Sequence, residues 1–267
     1  MRQSSNRTAT GSDHQRTPGA LVLEARGVRQ RFGSVVALDR LDVMLPYHER
    51  LGIVGPSGCG KSTFLSAVAG LVEPSEGTIA IGGLTSSRDR LARCALMPQR
   101  DLLLPWRTAL DNGCLALENQ GASRAQARAQ ARPLFERFGL AEFEDLLPAQ
   151  LSGGMRQRVA FLRTLLAGKD VLLLDEPFGS LDSITRSAMQ EWLLNTLEAE
   201  PRTVLLVTHD IDEALLLTDH VIVMSARPGR VVLALETDFP RNVPRREIVT
   251  SPKFTAMKER ALEALER

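Results

Sequence analysis

The stretch Leu51-Gly52-Ile53-Val54-Gly55-Pro56-Ser57-Gly58-Cys59-Gly60-Lys61-Ser62-Thr63 decides how the rest of the chain is read. Its first four residues form an apolar run of strand length, and the residues after Gly60 follow a helical pattern to about Leu71. Between them, Gly55–Thr63 fits G-x-x-x-x-G-K-[ST], a spacing that carries meaning in a strand–loop–helix context. Gly55, Gly58 and Gly60 let successive backbone N–H groups turn inward around an anion, where bulky side chains would block the approach. The helix that follows aims the positive end of its dipole, roughly half an elementary charge, at the same point. Lys61 can reach β- and γ-phosphates, and the Ser62 hydroxyl can ligate Mg²⁺. With Ser57, Cys59 and Thr63 completing the motif, the stretch implies a nucleoside-triphosphate site. Cys59 has two readings, a thiol made acidic by the helix end or an inert packed one.

Working outward, Val171-Leu172-Leu173-Leu174-Asp175-Glu176-Pro177 places two acids at the end of an apolar strand. Parallel sheets bind ligands at that carboxyl edge. Asp175 is expected to hold Mg²⁺, directly or through water, and Glu176 to polarise an attacking water. His209 closes a third strand, Thr203–Thr208, and belongs on the same edge. Gln99 follows the Cys94–Met97 strand and offers a neutral amide for Mg²⁺ or water.

The same alternation gives the architecture. Strand-like runs recur around Leu41–Leu45, Leu51–Val54, Thr78–Ile81, Cys94–Met97, Val171–Leu174, Thr203–Val207, Val221–Met224 and Val231–Leu235, and structure is expected to begin at Leu21-Val22-Leu23. Several runs are apolar throughout, as in strands covered on both faces. Helical patterns cover Lys61 to about Leu71, Ala125–Phe138, Gly154–Leu166 and Ser187 to about Glu198. The expectation is an α/β fold whose core sheet is parallel, with an antiparallel β element beside it and a helical subdomain inserted at about 100–165. Residues 1–19 are polar and expected to form a disordered tail, 20–250 the main domain and 251–267 a C-terminal helix. Arg124, Arg128 and Arg132 fall on one helical face, read as a solvated face or a basic docking patch.

Composition narrows the class. The chain has 267 residues, 43% hydrophobic and 24% charged, which excludes disordered and fibrous proteins. Thirty-three Lys and Arg against 32 Asp and Glu give a net charge of +1, with no basic footprint for nucleic acid. Three cysteines match no zinc spacing and no closed disulfide set, which fits a reducing compartment. No apolar run is long enough to span a bilayer, and the N-terminus lacks a secretory apolar segment.

Leu151-Ser152-Gly153-Gly154-Met155-Arg156-Gln157 opens the helix that reaches Leu166. Ser152 is a good N-cap, and the two glycines leave N–H groups exposed, a second anion-binding helix start in one chain. One triphosphate does not need two such starts, so a second copy of the chain is expected to supply one of them. At this point the sequence resembles the ATP-binding cassette (ABC) ATPases, over nearly everything after the tail. Gly55–Thr63 matches the phosphate loop, Leu151–Gln157 the signature, and Val171–Glu176 the Mg²⁺ and water strand. Gln99 matches the Q-loop, Ser180-Leu181-Asp182 the D-loop and His209 the switch histidine. Phe32 stands in the place of the aromatic that stacks on adenine, where the family more often has Tyr.

The resemblance implies a P-loop NTPase core and a head-to-tail dimer with two ATP molecules sandwiched between copies. Ser152, Gly153 and Gly154 of one copy would then close on the γ-phosphate held by Lys61 of the other, with Asp182 at the seam. It implies ATP and Mg²⁺ as ligands, separate membrane permease subunits as partners and an extracytoplasmic binding protein as an indirect one. The implied location is the cytoplasmic face of the inner membrane, peripherally. Pro98–Trp106, Met224–Arg230 and Pro240-Arg241 are similar to the nitrate, sulfonate and taurine importer subgroup. The short stretch after His209 carries the expectation of no regulatory domain of the sugar-importer kind. The apolar, proline-stiffened segment Leu102–Trp106 is expected to dock the permease, or else Trp106 is core. An exporter ATPase and a soluble non-transport ABC protein are the alternatives.

Overall fold

In the computed structural model, the described residues are 19–266 except 180, 200, 241 and 242, so the expected tail falls outside them apart from Gly19, as do Ser180 and Arg241. The first layer is antiparallel. It holds β1 (Leu21–Phe32), β2 (Val35–Pro46) and, after the core strand β3 (Arg50–Val54), β4 (Glu76–Ile81), in the order β2-β1-β4. β1 and β2 run twelve residues each, much longer than the short runs read from sequence. Their alternation is broken by register shifts, one of them between Ala25 and Val28, so that no clean period-two pattern survives in the sequence.

The second layer contains β3 with β5 (Cys94–Met97), β6 (Val171–Asp175), β7 (Thr203–Thr208), β8 (His220–Met224) and β9 (Val231–Glu236), in the order β5-β6-β7-β3-β8-β9. All pairings from β5 to β8 are parallel, and β9 closes the edge antiparallel. β3 and β7 are buried at every residue and β6 at all but its last, because helices cover both faces.

α1 (Lys61–Val68) follows β3 and packs between the two layers, while α2 (Ser87–Arg93) leads into β5. A helical block then separates β5 from β6: α3 (Ala109–Gly113), α4 (Leu115–Asn119), α5 (Arg124–Arg137) and α6 (Gly153–Leu166). Its core is continuous with the sheet through Phe135, Phe138, Leu140, Phe161 and Leu162. The remaining helices are α7 (Ser183–Ala199), α8 (Ile211–Leu217), α9 (Arg245–Val249) and α10 (Pro252–Glu266). α7 starts four residues before the pattern suggests, because Asp182 accepts from the amides of Ile184 (3.1 Å) and Thr185 (3.0 Å).

Arg124, Arg128 and Arg132 share a face of α5; Arg124 and Arg132 are exposed, and all three are tied to carboxylates of neighbouring elements. Arg124 and Arg128 both hydrogen-bond Asp111 of α3, Arg128 Nε at 2.8 Å from Oδ1, and Arg132 Nε lies 3.1 Å from Glu144 Oε2. Asp111 is 2% exposed. Burial alone would push its carboxyl up, but the hydrogen bonds and charges of Arg128 and Arg124 outweigh it and hold the group down at about 2. The charge run is a solvated face that also staples α5 to Asp111 of α3 and to Glu144, ties that helical spacing cannot reveal.

Candidate functional site

Parallel strands β3, β6 and β7 lie side by side, so their carboxyl ends open onto one edge. Val54 is in register with Thr208, and Asp175 with Val207. Gly55 through Gly60 form the loop between β3 and α1, and Lys61, Ser62 and Thr63 make the first turn of α1. Gly60 caps that helix with φ +113°, and a Cβ there would lie 2.6 Å from a methyl of Leu38 and 2.9 Å from the carbonyl of Ala37, so only glycine fits.

Lys61 is 5% exposed, and its Nζ donates to two loop carbonyls, Gly55 O at 2.7 Å and Pro56 O at 3.1 Å. Among the described residues no carboxylate pairs with it. A buried ammonium solvated only by neutral carbonyls is an anion site in waiting. Cys59 is buried, its Sγ 3.9 Å from Lys61 Nζ. Ser57 and Gly58 stand exposed at the mouth.

The acidic strand end meets this loop directly. Ser62 Oγ donates to Asp175 Oδ1 at 3.1 Å. Burial pushes the Asp175 carboxyl up and the charge of Glu176 adds to that, while the Ser62 hydrogen bond and Lys61 pull the other way. Glu176 takes a left-handed backbone, φ +46°, fixed by its amide donating to Val207 O at 2.8 Å. For a residue with a Cβ this costs about 1–2 kcal/mol. The turn aims the carboxylate along the edge, where Gln99 Nε2 donates to Oε2 at 3.0 Å and His209 Nδ1 lies 3.3 Å from the same oxygen. Residues from two neighbouring strand ends thus converge on one carboxylate oxygen at a third.

The other expected site residues lie apart from this cluster. Phe32 ends β1 and is 52% exposed. Ser152 caps α6, its Oγ accepting from Met155 N at 3.2 Å, and Ser152 and Gly153 face solvent while Gly154 is buried. No hydrogen bond or ion pair among the described residues joins Ser152–Gly154 to the phosphate loop. Asp182, at the head of α7, is exposed, and its carboxyl is held low by the hydrogen bonds from Thr185.

The motifs do not single out two further features. Arg227, from the loop between β8 and β9, donates to Gly58 O through Nη2 (2.9 Å) and Nε (3.2 Å). Gly229 lets that loop lie against the phosphate loop, since a Cβ there would stand 2.2 Å from Cys59 O. Met224–Arg230 is therefore the back wall of the site. Second, α6 grips the segment after Gln99. Arg156 Nε pairs with Asp101 Oδ2 (3.1 Å), Arg163 donates to Asp101 O (2.7 Å) and Leu102 O (2.9 Å), and Gln157 Nε2 donates to Pro177 O. Leu103 is buried, whereas Leu102 and Trp106 are 58% and 74% exposed, so the reading of Trp106 as core is excluded. The signal for both features was present as unexplained Arg and Gly positions, but their targets are distant in sequence.

Residues 38–179 match the family described as ABC transporter. The chain belongs to that family. It is 43% identical over 234 residues to the taurine import ATP-binding protein TauB of Rhizobium johnstonii, covering 86% of this chain and 89% of that one. It is 46% identical over 191 residues to the formylaminopyrimidine import ATP-binding protein ThiZ of Halalkalibacterium halodurans, over 72% and 74% of the two chains. Among solved structures, a dimeric post-hydrolysis state of the ATP-binding cassette MJ0796 bound to ADP and Pi superposes with a TM-score of 0.72 at 29% identity, covering 82% of this chain and all of that one. The chain is thus an ABC ATPase with the α/β cassette fold: a largely parallel core sheet, an antiparallel β layer and a helical insert. No helix among the described residues is long and apolar enough to cross a membrane.

Proposed function

We propose that this chain is the ATP-hydrolysing subunit that energises an importer of a small sulfonate or related nitrogenous metabolite. The observation that carries the reading is the convergence of Gln99 (3.0 Å) and His209 (3.3 Å) on Glu176 Oε2, beside the Ser62–Asp175 contact. In this reading Gly55–Thr63 cradles the triphosphate, Lys61 moves from its loop carbonyls to the β- and γ-phosphates, and Phe32 stacks on the adenine. Glu176 polarises the attacking water, and Gln99 and His209 hold that carboxylate and the γ-phosphate in line. Transport class and cargo follow the named relatives.

The donor set fits Mg²⁺. Ser62, Asp175 and Gln99 offer oxygen ligands with a single carboxylate, and no group of three or more His, Cys, Asp or Glu among the described residues could cage a metal alone. That is the pattern for an ion held mainly by phosphates and water. Bound there, Mg²⁺ supplies charge neutralisation at the β- and γ-oxygens.

Ser152, Gly153 and Gly154 are assigned to a second copy's triphosphate in a head-to-tail dimer, with Asp182 at the seam. The solvent-facing placement of Ser152 and Gly153 and the dimeric state of the similar cassette support this. We assign residues 20–250 to the nucleotide-binding domain, about 100–165 to its helical insert and 251–267 to a C-terminal unit, in which α10 (Pro252–Glu266) packs on α8. Permease subunits dock at Leu102 and Trp106, which places the chain on the cytoplasmic face of the membrane, and a capture protein outside is reached only through them.

The test is Glu176→Gln. It keeps ATP binding, lowers turnover by about a hundredfold or more, and accumulates an ATP-bound dimer on a sizing column. Undiminished hydrolysis would overturn the assignment. Trp106→Ala tests docking by co-purification with the permease, and an unreduced complex would remove that surface.

A further inference from the structure

Glu213 lies in the first turn of α8 and is 4% exposed. Its amide donates to Oδ1 of Asp210 at 3.2 Å, the helix cap that directly follows His209. Its Oε2 accepts from Gln190 Nε2 at 3.3 Å, and Oε1 has no partner of hydrogen-bonding geometry. Gln190, 2% exposed in α7, accepts through Oε1 from Arg245 Nη1 at 2.7 Å, at the start of α9. Three elements meet at this one buried contact.

His209 is bracketed by Thr208, the end of β7, and by Asp210. β7 is fixed by parallel pairing on both sides, so the freedom left to His209 is the tilt of α8. Two polar contacts hold this turn against α7, the buried Gln190–Glu213 hydrogen bond and the longer, more exposed Arg186–Asp210 pair at 3.8 Å, and α7 is the helix that Asp182 begins. Few residues absorb such hinge motions, and they lie away from the chemistry.

The charged neighbours of Glu213 are Asp210 on its own turn, Arg186 of α7, whose Nη1 lies 3.8 Å from Asp210 Oδ2, and Arg245 acting through Gln190. Asp212 points away to Lys258 of α10 at 2.7 Å. Burial pushes the Glu213 carboxyl up to about 8 and the Asp210 charge adds to it, while Thr208, Arg186 and Gln190 pull down without cancelling the effect. The group is neutral at pH 7. Its ionisation would set a second negative charge against Asp210, whose Oδ1 also receives Asp212 N at 2.9 Å. The cap holding His209 would loosen.

We propose that Glu213 and Gln190 are positioning residues for ATP hydrolysis, a buried pin that holds the His209 loop against the Asp182 helix and links it to Arg245. The inference rests on the role assigned to His209 above.

The experiment measures steady-state ATP hydrolysis by the full chain across pH 6 to about 9.5, with Glu213→Ala and Glu213→Gln beside it. Glu213→Ala lowers kcat about tenfold with KM for ATP within about twofold, and Glu213→Gln, neutral and of the same shape, restores most of the loss at pH 7. The unmodified chain loses kcat on the alkaline side with a midpoint near 8, and Glu213→Gln lacks that limb. A thermal melt gives an independent reading. Between the ordinary glutamate value of 4.5 and about 8 the folded chain holds one more proton than the unfolded one, so its stability falls as pH rises through that window, relative to Glu213→Gln. An alkaline limb unchanged in Glu213→Gln, or full kcat in Glu213→Ala, overturns the proposal. If Glu213→Ala does not fold, the Glu213→Gln profile decides. Glu176→Gln run alongside separates the failures, since its retained turnover would sink the site assignment, whereas its inactivity with an unaltered Glu213→Gln profile would sink only the pin.

Discussion

Two helix starts in this chain offer backbone N–H groups to an anion, and they are built in opposite ways. The start of α1 is tied in on several sides, with only its mouth exposed: Lys61 is buried beneath it, Asp175 meets Ser62, and Arg227 braces the loop from behind. The start of α6 is open. Ser152 and Gly153 face solvent, and the ties of that helix, Arg156 to Asp101 and Gln157 to Pro177, hold it from the rear. One is a pocket and the other a lid without a pocket of its own. In the head-to-tail dimer proposed above such a terminus would face a second molecule, while its rear ties run to the segments flanking Gln99 and Glu176. In that dimer, closure at the lid would be linked through these ties to the hydrolytic edge.

Breaking the pocket has the largest expected effect. Lys61→Ala removes charge-assisted hydrogen bonds to the triphosphate and weakens ATP binding by about a hundredfold or more, read by titration with a fluorescent ATP analogue. Normal affinity would contradict the contact. Breaking the lid acts differently. Gly153→Asp sets a carboxylate against the facing triphosphate, so ATP binding to the single copy stays while ATP-driven dimerisation and turnover fall about tenfold or more, seen by light scattering and phosphate release. A loss of monomer binding would show that the two starts serve one site in one chain.

The remaining tests sharpen the comparison. Asp111→Ala, remote from both starts, costs about 1–3 kcal/mol of stability by denaturant unfolding, since Arg124 and Arg128 can turn to water. The Asp111 carboxyl is held below its ordinary 3.8, at about 2, so its contribution is present above 3.8 and is lost as pH falls through 2. Arg227→Met, which touches only the loop wall, weakens ATP binding about threefold with the fold intact. An effect as large as that of Lys61→Ala would move Arg227 from brace to ligand.

What was legible in the sequence followed from local rules. The phosphate loop needs its glycines and Lys61 in one contiguous turn, and the acidic strand end needs an apolar run with Asp175 after it. The helix cap at Ser152 is local as well, whereas the cap at Asp182 was not legible and the pattern begins α7 four residues late. The long strands β1 and β2 were less legible, because register shifts erase the alternation that marks a half-buried strand. The arginine face of α5 is exposed at Arg124 and Arg132, but its tie to Asp111 was not legible, because that partner is buried on another helix.

The chain's order of residues thus dictates which chemical groups exist and which lie on one turn or strand end, since backbone geometry enforces those spacings wherever the segment folds. The meeting of Gln99, Glu176 and His209 on one oxygen, the bracing of Gly58 by Arg227 and the pin between Gln190 and Glu213 arise from sheet order and packing. Those contacts join residues far apart along the chain: the parallel register of β5, β6 and β7 brings Gln99, Glu176 and His209 together, while the placement of the β8–β9 loop and the packing of α7 on α8 make the other two.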